Sequence, residues 1–166
     1  MQIKPHSGSS WAPQKQPVRH PATYNRRSGV SYFFGAYNVH EDQLWMHHKY
    51  RKHATVVLDF LKEIRRRYAS AKRIYLVMDN LSTHKTPEIL RWCRQNQVSP
   101  VFTATNASWM NRIECHFTAA HYFVIKNSDP EDHRDVGQRM QQYLRWRNRN
   151  TDNAKLAKVQ NSMPTL

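Results

Sequence analysis

Asp79 and Glu114 are the two side chains whose surroundings best suit chemistry. Asp79 closes a continuous apolar run, Ile74 to Met78, and is followed at once by Asn80. Glu114 sits in W-M-N-R-I-E, with residues 80–113 between the two acids. An apolar run of that length, bounded by polar residues, suits a strand buried on both faces. A carboxylate at the carboxyl end of such a strand is aimed at the edge where open α/β sheets hold their sites. Phosphodiester cleavage by two metals needs several carboxylates converging on ions about 3.5–4 Å apart. Hard cations such as Mg²⁺ prefer oxygen ligands and retain waters, so a few carboxylates suffice. Asp79 and Glu114 supply two of them, as part of a metal-dependent nucleic-acid-cutting site. A third is not evident, because Glu41 and Asp42 fall in a turn and Asp59 falls within a helix. Plainer readings stand beside this one: an Asp after a strand also serves as a turn or cap residue, and a helical Glu is commonly solvated.

The elements that must position these acids follow from periodicity. Ser31 to Val39 and Gln43 to His48 read as two strands of a hairpin, turning at His40-Glu41-Asp42. From Thr55 to Tyr68 the period changes: Val56, Val57, Phe60, Leu61, Ile64 and Tyr68 share a helical face, with Lys62 and Arg65 to Arg67 on a solvated one. After the Asp79 strand, Thr86-Pro87 opens a helix, Thr as N-cap and Pro at the first helical position, with Ile89, Leu90 and Cys93 as its apolar stripe. Val98 to Phe102 reads as another short strand. A helix opening near Ser108 buries Ile113, Phe117, Ala120 and Val124 and ends before Asp129-Pro130, with Glu114 at the border of its buried face. A last helix, His133 to Asn148, buries Val136, Met140, Tyr143 and Leu144 and exposes Arg145, Arg147 and Arg149. This order predicts an α/β domain with a mixed sheet over residues 30–150. It is preceded by a Pro-rich basic loop region, 1–29, in which Met1 to Pro5 is too short for a useful strand, and followed by a polar tail, 151–166.

Composition narrows the partner. Twelve Asp and Glu against 26 Lys and Arg leave a formal charge of +14 on 166 residues. Each Lys or Arg that neutralises a phosphate releases a condensed counterion, so this balance favours a polyanion. No apolar run approaches the roughly 18 residues that a membrane-spanning helix needs, and a membrane partner is not expected. Two cysteines without a Cys-x-x-Cys pair support neither a zinc knuckle nor a disulfide framework and fit ordinary buried thiols in a cytoplasmic protein. The ten histidines form no familiar ligand spacing and are expected mostly at the surface or in a groove.

V-M-D-N-L-S-T-H-K at Val77 to Lys85, with F-T-A-T-N-A-S-W-M-N-R-I-E at Phe102 to Glu114, resembles the D-N-x-x-x-H and S-x-x-N-x-x-E segments of DDE transposases. The nearest branch is the bacterial insertion-sequence-630 family, relatives of the mariner elements. The resemblance extends through W-A-P near Trp11, the strand at Phe33 to Tyr37 and Y-L-R-W-R-N-R near the end, covering about residues 8 to 150. It implies an RNase H-like mixed sheet flanked by helices. It further implies Mg²⁺- or Mn²⁺-dependent cutting of double-stranded DNA at transposon ends and joining of the 3′ hydroxyls to target DNA. By resemblance Asp79 is the second catalytic and metal-holding acid and Glu114 the third. Asn80, His84 and Asn111 support the site, His84 by orienting Asp79 or touching a phosphate, although a packed structural histidine or a helix-capping Asn111 would serve the fold alone. Arg26, Arg27, Lys85, Arg112, Arg145 and Arg147 are the expected nucleic-acid contacts. The expected location is the bacterial cytoplasm, with the nucleoid, and the expected protein partner a second copy or a full-length transposase.

The family's first acid lies at the end of a strand upstream of W-A-P, and its helix-turn-helix lies further upstream. Neither has a counterpart in the sequence. The chain is therefore expected to be a truncated or second-frame product that lacks the first, central strand, leaving unpaired edges in mid-sheet, and to cut DNA poorly alone. The competing expectation, from a different class, is a DNA-binding remnant without chemistry that modulates a full-length transposase.

Overall fold

In the computed structural model, residues 1–8, 12–16, 29–104 and 110–152 are described. The described residues divide into two compact units: one from Met1–Tyr50 together with Cys115–Asp152, the other Arg51–Glu114.

The first unit is built on the hairpin. Strand β1, Tyr32–Asn38, pairs antiparallel with β2, Gln43–Lys49, in a register running from Tyr32↔Lys49 to Asn38↔Gln43. The alternation of β2 buries Leu44 and Met46, and both are under 2 % exposed. The last helix, His133–Arg149, contributes Val136, Met140, Tyr143 and Leu144 to the same core, as its spacing predicts. Asp132 caps this helix, accepting from the Asp135 N–H at 2.8 Å. Asn148 also serves the sheet: its Oδ1 accepts from the Leu44 N–H and its Nδ2 donates to the Leu44 carbonyl. Gln141 donates to the Met46 carbonyl. Side chains thus satisfy backbone groups of β2 that would otherwise form a bare edge. The amino terminus is not merely loop, since Ile3 N–H donates to the Gly29 carbonyl, Ser31 N–H to Met1, and Ile3 is buried.

The described histidines are half-buried or exposed except His116. Ser31 is fully buried and its hydroxyl meets His133 Nδ1 at 2.8 Å and His48 Nε2 at 2.9 Å. The His48 ring stacks on Phe33 across the hairpin. His116 is also buried, 4.0 Å from the Tyr37 ring between centroids. His48 and His133 are half-buried about the Ser31 hydroxyl, and His116 is the buried imidazole. Burial, with a smaller contribution from charge on His133, holds His48 below the ordinary histidine range. As pH falls below the ordinary value of 6.5, the unfolded chain takes up this proton before the native one does. Native stability is therefore expected to fall from there down through the lowered folded-state value, and urea denaturation at neutral and at mildly acid pH checks it. In His48→Gln the acid-side decline should be shallower; an unchanged decline would contradict the assignment.

The second unit carries the strand–helix–strand crossover. Helix α1, Ala54–Arg67, buries Val57, Leu58, Phe60, Leu61 and Ile64. Arg65 is not simply solvated, because its guanidinium donates to the carbonyls of Tyr68 and Ala71 and closes the end of the helix. Strand β3, Ile74–Met78, pairs in parallel with β4, Val98–Phe102, through helix α2, Pro87–Gln95. Thr86 caps α2, its hydroxyl accepting from the Ile89 N–H at 3.4 Å, with Pro87 next. Ile89 and Cys93 are buried, and burial raises the Cys93 thiol. Cys115 is half-buried, and both cysteines are free. Helix α3, Ile113–Ala120, opens at the end of this unit; from Cys115 it belongs to the first unit, as do the π turn that follows, His121–Ile125, and the helix after it, α4. The buried residues of α3 and the π turn are His116, Ala119, Ala120, Val124 and Ile125, whereas Ile113 and Phe117 are only half-buried. Ser108, the expected opening of this helix, lies outside the described residues.

An α/β composition is what the chain shows, but one expectation about its strands does not hold. The described strands pair two by two, β1 with β2 antiparallel and β3 with β4 in parallel. β3 is not buried on both faces: Tyr75 is 70 % and Val77 53 % exposed, and Val101, beside Val77 in the register, is 46 % exposed. Side chains alternate across a strand, so one face of this small sheet is covered and the other, though apolar, faces outward.

Candidate metal and nuclease site

Asp79 leaves the end of β3 and its neighbours fix it there. The sheet is closed beyond the last strand pair by Thr103 N–H donating to the Met78 carbonyl at 2.9 Å. The Asn80 side-chain amide donates to the Thr103 carbonyl, tying the segment after β3 to the segment after β4. The chain then makes a 3₁₀ turn, Ser82–His84, which returns His84 toward Asp79. His84 Nδ1 lies 2.7 Å from Asp79 Oδ1 and 3.4 Å from the Asp79 carbonyl oxygen. The hydrogen bond of the ring is with the carbonyl, and the carboxylate oxygen stands beside the ring at ion-pair distance; an imidazole next to a carboxylate is an arrangement used around metal-holding groups. Asp79 keeps a partly open side chain, 34 % exposed, while His84 is 19 % exposed.

Glu114 comes from the opening of α3, where its N–H donates to the Asn111 carbonyl at 3.0 Å. Asn111 thus starts the helix that carries the acid. Burial raises the Glu114 carboxyl above its ordinary range, and the charge of Asp79 raises it further. Two carboxylates from distant stretches of the sequence therefore feel each other, and like charges held together are what a divalent cation relieves. The donor set, two carboxylates oriented by a histidine, fits a hard divalent ion in kind. It does not fit in number. All twelve Asp and Glu fall within the described residues, and among those residues no group of three or more His, Cys, Asp and Glu is placed to hold a metal.

The expected nucleic-acid contacts divide sharply. Lys85 is exposed next to His84, with Nζ 4.8 Å from the centre of the Phe102 ring. Arg112 and Arg145 are exposed. Arg147 is a correction: it is 2 % exposed, and its guanidinium donates to the Asp42 carboxylate and the Asp42 carbonyl at the hairpin turn. It faces inward because it lies one turn beyond Tyr143 and Leu144 on the buried stripe of α4. Arg26 and Arg27 lie outside the described residues. Thr103 is the site residue that sequence reasoning misses. Its signal was its level in a parallel pair, one residue beyond β4, opposite Asp79 one residue beyond β3.

The profile of the DDE superfamily endonucleases matches residues 1–136. An insertion element IS630 uncharacterized 39 kDa protein of Shigella sonnei is 27 % identical over 77 residues, covering 46 % of this chain and 22 % of that protein. This chain thus matches well under two thirds of its relative's length. The match, which runs over residues 1–136 and so spans well over half of the chain, places it in the family of DDE superfamily endonucleases.

Proposed function

We propose that this chain carries the second and third acids of a transposase of the insertion-sequence-630 type, an enzyme that cuts double-stranded DNA at transposon ends and joins the ends to target DNA. What supports this most is the family match, whose span of residues 1–136 includes both acids, with His84 Nδ1 2.7 Å from the Asp79 carboxylate. Asp79 and Glu114 are the residues that would hold Mg²⁺ or Mn²⁺. When bound, such ions activate a water and stabilise the leaving oxygen of the phosphodiester. The protein's own part is positional. His84 orients Asp79, Asn80 and Thr103 brace the segments that follow the two strands, and Asn111 seats Glu114 at the start of its helix. Lys85 and Arg112, exposed in the same unit, would meet the DNA backbone, and Arg145 would do so from the other unit. The working location is the cytoplasm with the nucleoid, and the working partner a second copy or a full-length transposase.

In this reading the site draws a third carboxylate from a strand that these 166 residues do not bring to the pair, in an RNase H-like sheet. The exposed apolar face of Tyr75, Val77 and Val101 favours a further covering layer, since parallel strands are normally covered on both faces by helices. The chain alone then behaves as a DNA-binding piece with little chemistry. Supercoiled DNA incubated with the purified chain and Mg²⁺ or Mn²⁺ is expected to show nicking no faster than the Asp79→Asn variant gives. Rapid nicking that disappears in Asp79→Asn would show that two acids suffice and would overturn the need for a third.

A further inference from the structure

A cleft of about 350 Å³ lies between the π turn and α4, wholly within the hairpin-containing unit and outside the acid pair. Phe123, Val124, Arg139, Gln142, Tyr143 and Trp146 line it. The Phe123 ring stacks on Tyr143 at 5.7 Å and 19°, and Trp146 lies 5.3 Å from Phe123 and 6.1 Å from Tyr143 between ring centres. Two local features build it. On α4, positions 139, 142, 143 and 146 follow helical spacing and form one stripe. At the π turn the Lys126 N–H reaches the His121 carbonyl at 2.9 Å, five residues back. The extra residue in that turn buries Ile125 and presents Phe123 and the largely buried Val124 to the cleft.

The aromatic wall is not finished as a core. Trp146 is 37 % exposed. The charge around it is graded. Arg139 is paired with Asp135 at 2.7 Å, and Glu131 and Asp129 add negative charge near it. Toward the other end of the stripe, Arg145 and Arg149 are exposed, one residue before and three after Trp146. A ligand with a flat aromatic face and a negative backbone matches this surface: the ring on Trp146 and Phe123, the backbone toward Arg145 and Arg149. An apolar peptide would have no use for the arginine end. In duplex DNA both faces of each base are already occupied by neighbours.

We propose that this cleft binds an unpaired base of single-stranded DNA, stacked on Trp146, with adjacent phosphates on Arg145 and Arg149. The proposal rests on the reading that DNA is the substrate, and it assigns to this unit the strand exposed when a duplex is opened. Stacking on an aromatic side chain is sequence-tolerant and contributes on the order of a tenfold gain in affinity per base.

The test compares two oligonucleotides of equal length, one carrying thymines and one abasic throughout, binding to the full chain in EDTA. The wild type should bind the thymine strand about tenfold more tightly. Trp146→Ala should lose that preference and keep the abasic affinity, whereas Trp146→Phe should retain most of the preference. Equal wild-type affinity for the two strands, or a full preference surviving in Trp146→Ala, overturns the proposal while leaving the acid pair untouched. A Trp146→Ala variant that changes only the sedimentation of the free protein makes the cleft a protein contact and also overturns it. Failure of both strands to bind would remove the DNA reading itself.

Discussion

Arg147→Ala is expected to destabilise the hairpin-containing unit by about 2–4 kcal/mol, a large part of a small domain's total stability. The guanidinium is 2 % exposed and makes two donations to Asp42, one to its carboxylate and one to its carbonyl. It also stands 5.4 Å over the Tyr37 ring, whose hydroxyl donates to the same carboxylate at 2.8 Å. Burial works against the charge of Asp42, but the hydrogen bonds from Arg147 and Tyr37 outweigh it and hold the carboxyl below its ordinary range. The loss should fall short of the full cost of breaking a buried pair, because the Asp42 side chain is 39 % exposed and can turn to water. Asp42 also holds a left-handed backbone at φ +49°, a conformation that Asp and Asn tolerate better than most residues. Asp42→Asn keeps that backbone and one acceptor, so it should cost less than Arg147→Ala. Urea denaturation followed by tryptophan fluorescence gives both values. Equal stability of Arg147→Ala and wild type would show that the guanidinium is replaceable by water.

Much of this chain was legible because its local signals agree. Thr86-Pro87 caps a helix, the hairpin turns where Asn38 and Gln43 pair, and the stripe Val136, Met140, Tyr143 and Leu144 faces inward, each for reasons contained in a few neighbouring residues. Arg147 was misread for the opposite reason. An arginine in an arginine-rich helix looks solvated until its partner is known, and that partner, Asp42, is contributed by a turn far away in the sequence. The burial of β3 was misread because a continuous apolar run records what a strand can bury, not what covers it in a given polypeptide; Tyr75 and Val77 have the composition of a covered strand and an uncovered face. The turn after β3 was legible as motif, with Asn80 and His84 at set intervals from Asp79. What motif spacing did not contain was the brace from Asn80 to the Thr103 carbonyl, which depends on the register of two parallel strands.

The other large effect concerns the acids themselves. Asp79→Asn or Glu114→Gln should each lower affinity for a divalent cation by more than about tenfold, since either change removes one of the two carboxylates offered to the ion. His84→Ala should have a smaller effect in the same direction: it leaves both carboxylates but frees Asp79 from the contact that aims it. The most direct measurement is a Mn²⁺ titration of the 166-residue chain followed by electron paramagnetic resonance of the free ion, repeated on the three variants. Weak Mn²⁺ binding by the wild type that is lost in both Asp79→Asn and Glu114→Gln is the predicted result. Binding unchanged by either substitution would contradict the assignment of Asp79 and Glu114 as a shared metal site.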